Sequence, residues 1–138
     1  MQNTTIFFPV LAMAFWTFGV TFFMGRVRFR AVRENKIDLT YFKINHAKQR
    51  PETMVRAAQH YNNLFEINSL FYPAVIVIYL LQATSLMTLL LAWGYFISRV
   101  FHSLIHLGKN DVQKRFIAFL FSLVFLLGLW IVVLLKII

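Results

Sequence analysis

Three basic side chains in one apolar stretch have the spacing of a single helical face. Arg99, His102 and His106 follow an i, i+3, i+7 pattern, which places one guanidinium and two imidazoles on the same side of a helix. Asn63 and Glu66, three residues apart, form a second polar pair in another apolar stretch. An ionisable group inside a membrane span costs about 2.5–3.5 kcal/mol unless it is paired or hydrated. Each of these side chains is therefore a candidate for function.

The charges of this group predict an anionic ligand. Glu66 is the single carboxylate expected near Arg99, Arg28, Arg30 and Arg115. A purely structural ion pair between Glu66 and Arg99 is the simpler alternative, in which the other arginines contact lipid phosphates. That pair needs only one cation, so several positive charges remain for a ligand.

Other chemistries fit the sequence less well. His102 and His106 could bind zinc together with Glu66, but the nearby arginines repel a divalent cation, and we predict no metal. The chain has no cysteine, so a thiol that reacts here must belong to a ligand. No Gly-x-Ser-x-Gly motif indicates a serine nucleophile.

The composition of the chain indicates that a membrane surrounds these side chains. Of 138 residues, 59% are hydrophobic and 14% are charged, with a mean hydropathy of +0.66, whereas soluble domains are about 45–50% apolar and about 25% charged. Four apolar stretches predict helices at about 5–25, 61–83, 86–107 and 115–136. Only residues 83–85 join the second and third helices, which makes them antiparallel. We expect a single all-α domain over 1–138, an integral membrane bundle of four helices running up and down.

The basic residues predict the orientation of the bundle. The loop at about 26–60, in which we expect at most one short helix, holds Arg26, Arg28, Arg30, Arg33, Lys36, Lys43, Lys48, Arg50 and Arg56, and the loop at 108–115 holds Lys109, Lys114 and Arg115. Both loops should therefore face the cytoplasm, and both termini the opposite side. This topology, with anionic lipid, accounts for the net charge of +9. We expect contact with the lipid bilayer and no nucleic-acid partner.

Three motifs carry a family resemblance. The run Arg99-Val-Phe-His102-Ser-Leu-Ile-His106-Leu-Gly-Lys109, followed by Arg115, resembles the third-helix motif of the MAPEG family, the membrane-associated proteins in eicosanoid and glutathione metabolism. Asn63-Leu-Phe-Glu66 is similar to the family's Asn-x-x-Glu motif, and Gly25-Arg-Val-Arg28-Phe-Arg30 resembles the basic end of its first helix. The resemblance spans nearly the whole chain. It is strongest to microsomal glutathione transferases and prostaglandin E synthase, in a bacterial-type form.

The resemblance implies a fold, a cofactor and roles for the site residues. It implies a homotrimer in the bacterial inner membrane, with both termini periplasmic and glutathione bound between protomers as co-substrate. The implied reaction is a glutathione-dependent transfer or peroxide reduction on a lipophilic small molecule. Arg115 would stabilise the glutathione thiolate, and the glutathione-binding residues would be Arg28, Arg30, Asn63, Glu66, Arg99, His102 and His106.

The sequence also departs from the family's pattern. Gln59 stands where the transferases have an arginine, and His106 where they have a tyrosine. These differences support an alternative, a non-catalytic member of the family that binds or presents lipid without glutathione chemistry.

Overall fold

Four long helices make up the protein. The computed structural model describes residues 4–34 and 51–138. A short 3-10 turn, Thr4–Ile6, leads into α1 (Phe7–Arg33); α2 (Glu52–Leu80), α3 (Leu86–Leu107) and α4 (Val112–Ile137) follow. Each is long and apolar enough to cross a membrane. The predicted all-α membrane fold with four spans is confirmed, whereas Lys36, Lys43, Lys48 and Arg50 lie outside the described residues.

The first two helices extend further than their apolar stretches. We predicted a loop at about 26–60, but α1 continues to Arg33 and α2 already begins at Glu52. The early turns of α2 are amphipathic, since Met54, Ala57 and His60 are buried while their neighbours are polar. Hydropathy fades in such a segment although the helix does not end. The loop between α1 and α2 is correspondingly shorter than predicted.

Contacts between helix ends establish an up-and-down arrangement. The ring of Phe7, at the start of α1, lies 4.8 Å from that of Tyr79, at the end of α2. Arg56, in the first turns of α2, donates a hydrogen bond of 3.2 Å to the carbonyl of Gly108, just after α3. One end of the bundle thus gathers the last turns of α1 and α3 and the first turns of α2 and α4. We call it the basic end, since most of the described arginines lie there.

The α2–α3 turn is short and capped. Gln82 adopts the left-handed conformation with φ 53°. Ser85 then caps α3, because its hydroxyl accepts from the backbone N–H of Thr88 while the Thr88 hydroxyl accepts from the backbone N–H of Ser85. This reciprocal cap fixes where α3 begins and therefore which of its residues face the other helices.

The core contains a polar network that ties three helices together. The Tyr95 hydroxyl donates to Asn68 Oδ1 at 2.8 Å, and the Asn68 amide donates to Thr17 Oγ1 at 3.4 Å. α3 and α4 pack closely at Gly94, where an added Cβ would lie 2.6 Å from the ring of Phe125. These contacts hold the inner face of α3 in place, and one turn beyond Tyr95 that face carries the candidate site.

Candidate functional site

A cavity opens at the basic end between α2, α3 and α4. Its volume is about 470 Å³, and it combines polar side chains with the aromatic rings of α4. The lining residues are Gln59, Asn63, His102, His106, Val112, Arg115, Phe116 and Phe119. The structure thus brings four of the predicted site residues, Asn63, His102, His106 and Arg115, to one cavity.

Arg115 is positioned by the tight connection between α3 and α4. Its Nη1 donates to Asn110 Oδ1 at 2.8 Å, and its backbone N–H donates to the carbonyl of Asp111. Asn110 has φ 52°, a left-handed conformation that asparagine tolerates better than most residues. The guanidinium is therefore held by the loop as well as by α4. Asn110 is a site residue that the sequence motifs did not reveal.

Asp111 anchors the first turn of α4 below that arginine. Its carboxylate accepts from the backbone N–H groups of Lys114 at 3.2 Å and Gln113 at 3.1 Å. The hydrogen bond from Lys114 is the main reason that the pKa of Asp111 lies below its usual range. An ionised carboxylate also suits the positive end of the helix dipole. The N-terminus of α4 is thereby fixed at the rim of the cavity.

The basic face predicted for α3 is present and buried. Arg99 is 0% exposed, and His102 and His106 are also buried. Arg99 Nη2 donates to Asn63 Oδ1 at 2.9 Å and to the Asn63 carbonyl at 3.2 Å. Among the described residues, its Nε and Nη1 have no hydrogen-bond partner. A buried guanidinium paired with a neutral amide leaves a positive charge uncompensated next to the cavity.

The ion pair between Glu66 and Arg99 is not formed, which corrects one alternative of the sequence analysis. Glu66 lies on the exposed face of α2, and its carboxylate enters no salt bridge within the described segments. The reason is helical geometry: the buried stripe of α2 includes Leu64 and Asn68, and a residue two positions from each points to the opposite side. Asn63, at the edge of that stripe, takes the role expected of the carboxylate.

The two arginines of α1 separate from each other and from this cavity. Arg30 projects outward, with a side chain 79% exposed, and its Nε donates to Glu34 Oε1 at 2.7 Å. Arg28 is half-buried. Neither residue lines the cavity within this protomer. The structure therefore leaves Arg28, Arg30 and Glu66 apart from the other predicted site residues.

His60 is a buried neighbour of the site that the sequence analysis missed. Its ring centroid lies 5.8 Å from that of His102 and 5.1 Å from that of His106, and the latter two are 5.8 Å apart. The three rings thus form a triangle behind the cavity. We had placed the start of the second helix at residue 61, so His60 fell in the loop, although it shares a helical face with Leu64. In the part of the chain that the structure describes, no three potential ligands are placed to hold a metal ion.

The cavity as a whole favours an anion with an apolar neighbour. Arg115 lines it and Arg99 lies behind it, and none of the described lining residues is acidic. Phe116 and Phe119 supply an apolar wall. Low-dielectric surroundings strengthen the attraction between a guanidinium and an anion. The geometry suits a small anionic molecule that meets an apolar one at the membrane.

Comparison with known proteins assigns a family. The model of the MAPEG family matches residues 6–135, almost the whole chain. No curated protein and no solved structure matches it. The match covers all four helices and every residue of the cavity.

Proposed function

The chain belongs to the MAPEG family, and we propose that it is a glutathione-dependent membrane transferase or peroxidase acting on a lipophilic electrophile. The observation that carries this proposal is the positive charge of one cavity, which Arg115 lines and which Arg99 borders, with no acidic lining residue in the described part of the chain. Glutathione supplies two carboxylates for these cations. It also supplies the thiol that a chain without cysteine lacks.

Arg115 is the proposed catalytic residue. A free thiol has a pKa of about 8.5, and a cation in contact with the sulfur lowers the pKa of a thiol by about 1–3 units. The bound thiol would release its proton to water near neutral pH and become a thiolate. The thiolate sulfur then forms a bond to the electrophilic atom of the lipophilic substrate, and the leaving group departs. Asn110, which accepts from the Arg115 guanidinium, would act as a positioning residue.

Binding of glutathione would use the polar side chains around Arg115. Asn63, His102 and His106 line the same cavity, and two nitrogens of Arg99 lack partners among the described residues. Charge-assisted hydrogen bonds from such groups to carboxylates are about twice as strong as neutral ones. We therefore propose these residues as the glutathione-binding set within one protomer.

Assembly would complete the site. Arg28 and Glu66 lie outside the cavity of their own protomer. In the homotrimer that the resemblance implies, glutathione lies between protomers, so a neighbouring protomer would bring these two side chains to it. The basic end would face the cytoplasm of a bacterial cell. The lipophilic substrate would enter from the bilayer along the aromatic side chains of α4.

A second function has a specific observation in its favour. Gln59 and His106 both line the cavity, at positions where glutathione transferases of the family carry an arginine and a tyrosine. A weaker set of cations and donors favours a protein that binds or presents lipid without glutathione. Binding of glutathione separates the two functions directly.

The test is equilibrium binding of glutathione to the purified protein, combined with turnover of a generic electrophile and a lipid hydroperoxide. Wild type should bind glutathione at millimolar concentration or below, and Arg115→Ala should lose turnover while it retains much of the affinity. Lys114→Ala is the matched control, because Lys114 is the preceding cation but its side chain is 74% exposed and lies outside the cavity. A wild-type protein that binds no glutathione would establish the lipid-presenting alternative.

A further inference from the structure

A second cluster of cations lies on the outer face of α1, away from the cavity described above. Arg26, Arg30 and Arg33 follow an i, i+4, i+7 pattern over the last turns of the helix, with Phe29 between them. Together with Glu34 they line a concave surface of about 590 Å³. We call these four residues, Arg26, Phe29, Arg30 and Arg33, the outer arginine surface.

This surface carries more positive charge than its own carboxylate balances. Arg30 is bound to Glu34 at 2.7 Å. Neither Arg26 nor Arg33 enters a salt bridge within residues 4–34 and 51–138. Three guanidiniums therefore face one carboxylate. Arginine presents a planar fork of donors that matches a phosphate group, and it binds phosphate with two hydrogen bonds at once.

The outer arginine surface continues into an apolar stripe on the same helical face. Phe15, Phe18 and Phe22 are exposed, and they precede Arg26 by 11, 8 and 4 positions, which keeps all four on one side of α1. Phe29 is itself 83% exposed. From Phe15 to Arg30 the helix rises about 22 Å, comparable to an extended acyl chain. A phospholipid has this arrangement of parts: apolar chains that end in a phosphate.

We propose that the outer arginine surface is a binding site for an anionic glycerophospholipid, whose phosphate contacts Arg26, Arg30 and Arg33 and whose acyl chain lies along Phe15, Phe18 and Phe22. A free phosphate or a soluble anion would use the arginines but not the aromatic stripe, so the stripe assigns the ligand to the bilayer. Basic surfaces at the cytoplasmic boundary of a membrane attract anionic lipid in this way. The proposal is independent of glutathione chemistry.

The experiment measures which lipid stays with the purified protein. Protein is reconstituted in phosphatidylcholine with or without phosphatidylglycerol, and retained lipid is counted by native mass spectrometry. Wild type should retain phosphatidylglycerol selectively. The triple variant Arg26→Gln, Arg30→Gln, Arg33→Gln should retain at least about tenfold less, since each cation near a headgroup contributes substantially to binding. The control is Lys109→Gln, Lys114→Gln, Lys136→Gln, which removes equal charge elsewhere and should leave retention unchanged.

Further arms keep the result decisive. Equal loss of phosphatidylglycerol in the arginine and lysine variants would mean diffuse charge attraction and would overturn the site. Displacement of the lipid by soluble glycerophosphate would assign the arginines to free phosphate and would overturn the lipid assignment. Should the arginine variant fail to fold, the single change Phe22→Ala serves instead, because it leaves every charge in place. Phe22→Ala should weaken retention of phosphatidylglycerol severalfold, and unchanged retention contradicts the proposal.

Discussion

The partner of the buried Arg99 distinguishes the structure from the simplest interpretation of the sequence. In the structure, Arg99 Nη2 donates to Asn63 Oδ1 at 2.9 Å, while Glu66 lies on the exposed face of α2. A hydrogen bond to a charged group contributes about 1.5–3 kcal/mol. Asn63→Ala should therefore lower the free energy of unfolding by about 1.5–3 kcal/mol, with the bond from Arg99 to the Asn63 carbonyl preserved. Glu66→Gln should change it by no more than about 1 kcal/mol.

The assay is denaturant unfolding in detergent micelles, followed by helical circular dichroism. Asn62→Ala is the matched control, because Asn62 is an asparagine on the same turn whose side chain is exposed. It should leave stability unchanged. The opposite ranking, in which Glu66→Gln loses about 3–5 kcal/mol and Asn63→Ala is neutral, would refute the reasoning and restore the ion pair between Glu66 and Arg99.

Three further changes test the loop, the packing and the helix cap. Asn110→Gly keeps the left-handed φ of 52° but removes the acceptor of Arg115, so conjugation of glutathione should slow by about 10–100-fold at little cost in stability; an unchanged rate would remove Asn110 as a positioning residue. Gly94→Ala should destabilise the fold by about 1–3 kcal/mol, because the new Cβ would lie 2.6 Å from an aromatic ring, whereas Gly19→Ala meets nothing within 4 Å and should be neutral or stabilising; equal effects in thermal unfolding would contradict the α3–α4 packing. Asp111 has a pKa below its usual range, so its contribution to stability is present above the unfolded pKa of about 3.9 and is lost as the pH falls further; an Asp111→Asn variant should show a flatter acid limb in unfolding experiments, and an identical limb would count against the cap.

The helices were predictable from the sequence where they are apolar and not where they are amphipathic. The bounds of the third helix, 86–107, agree with the structure, since a continuous apolar run is bounded there by Ser85 and Gly108. The second helix was placed nine residues too late, at residue 61 rather than Glu52. Its first turns bury only one face, with Met54 and Ala57 inside. A hydropathy window averages such a segment with its polar side and loses it.

The candidate site divides along the same line. Spacing on one helix was enough to place Arg99, His102 and His106 on a common face, because helical geometry is local. Which residue meets Arg99 depends on the rotation of α2 in the bundle, and that rotation is set by packing of residues such as Phe71 against α3. Spacing within α2 cannot show it. Asn110 escaped notice for a related reason, since its role arises from a loop conformation.

The central claim is that Arg115 converts a bound glutathione thiol into a thiolate, and one measurement tests it most directly. Ultraviolet difference titration of the purified protein with glutathione should show thiolate absorbance near neutral pH, because a contacting cation lowers the pKa of a thiol by about 1–3 units. Arg115→Ala should bind glutathione without the thiolate signal, and Arg115→Lys, which keeps the charge without the planar fork, should be intermediate. A thiolate signal of equal size in Arg115→Ala would contradict the account.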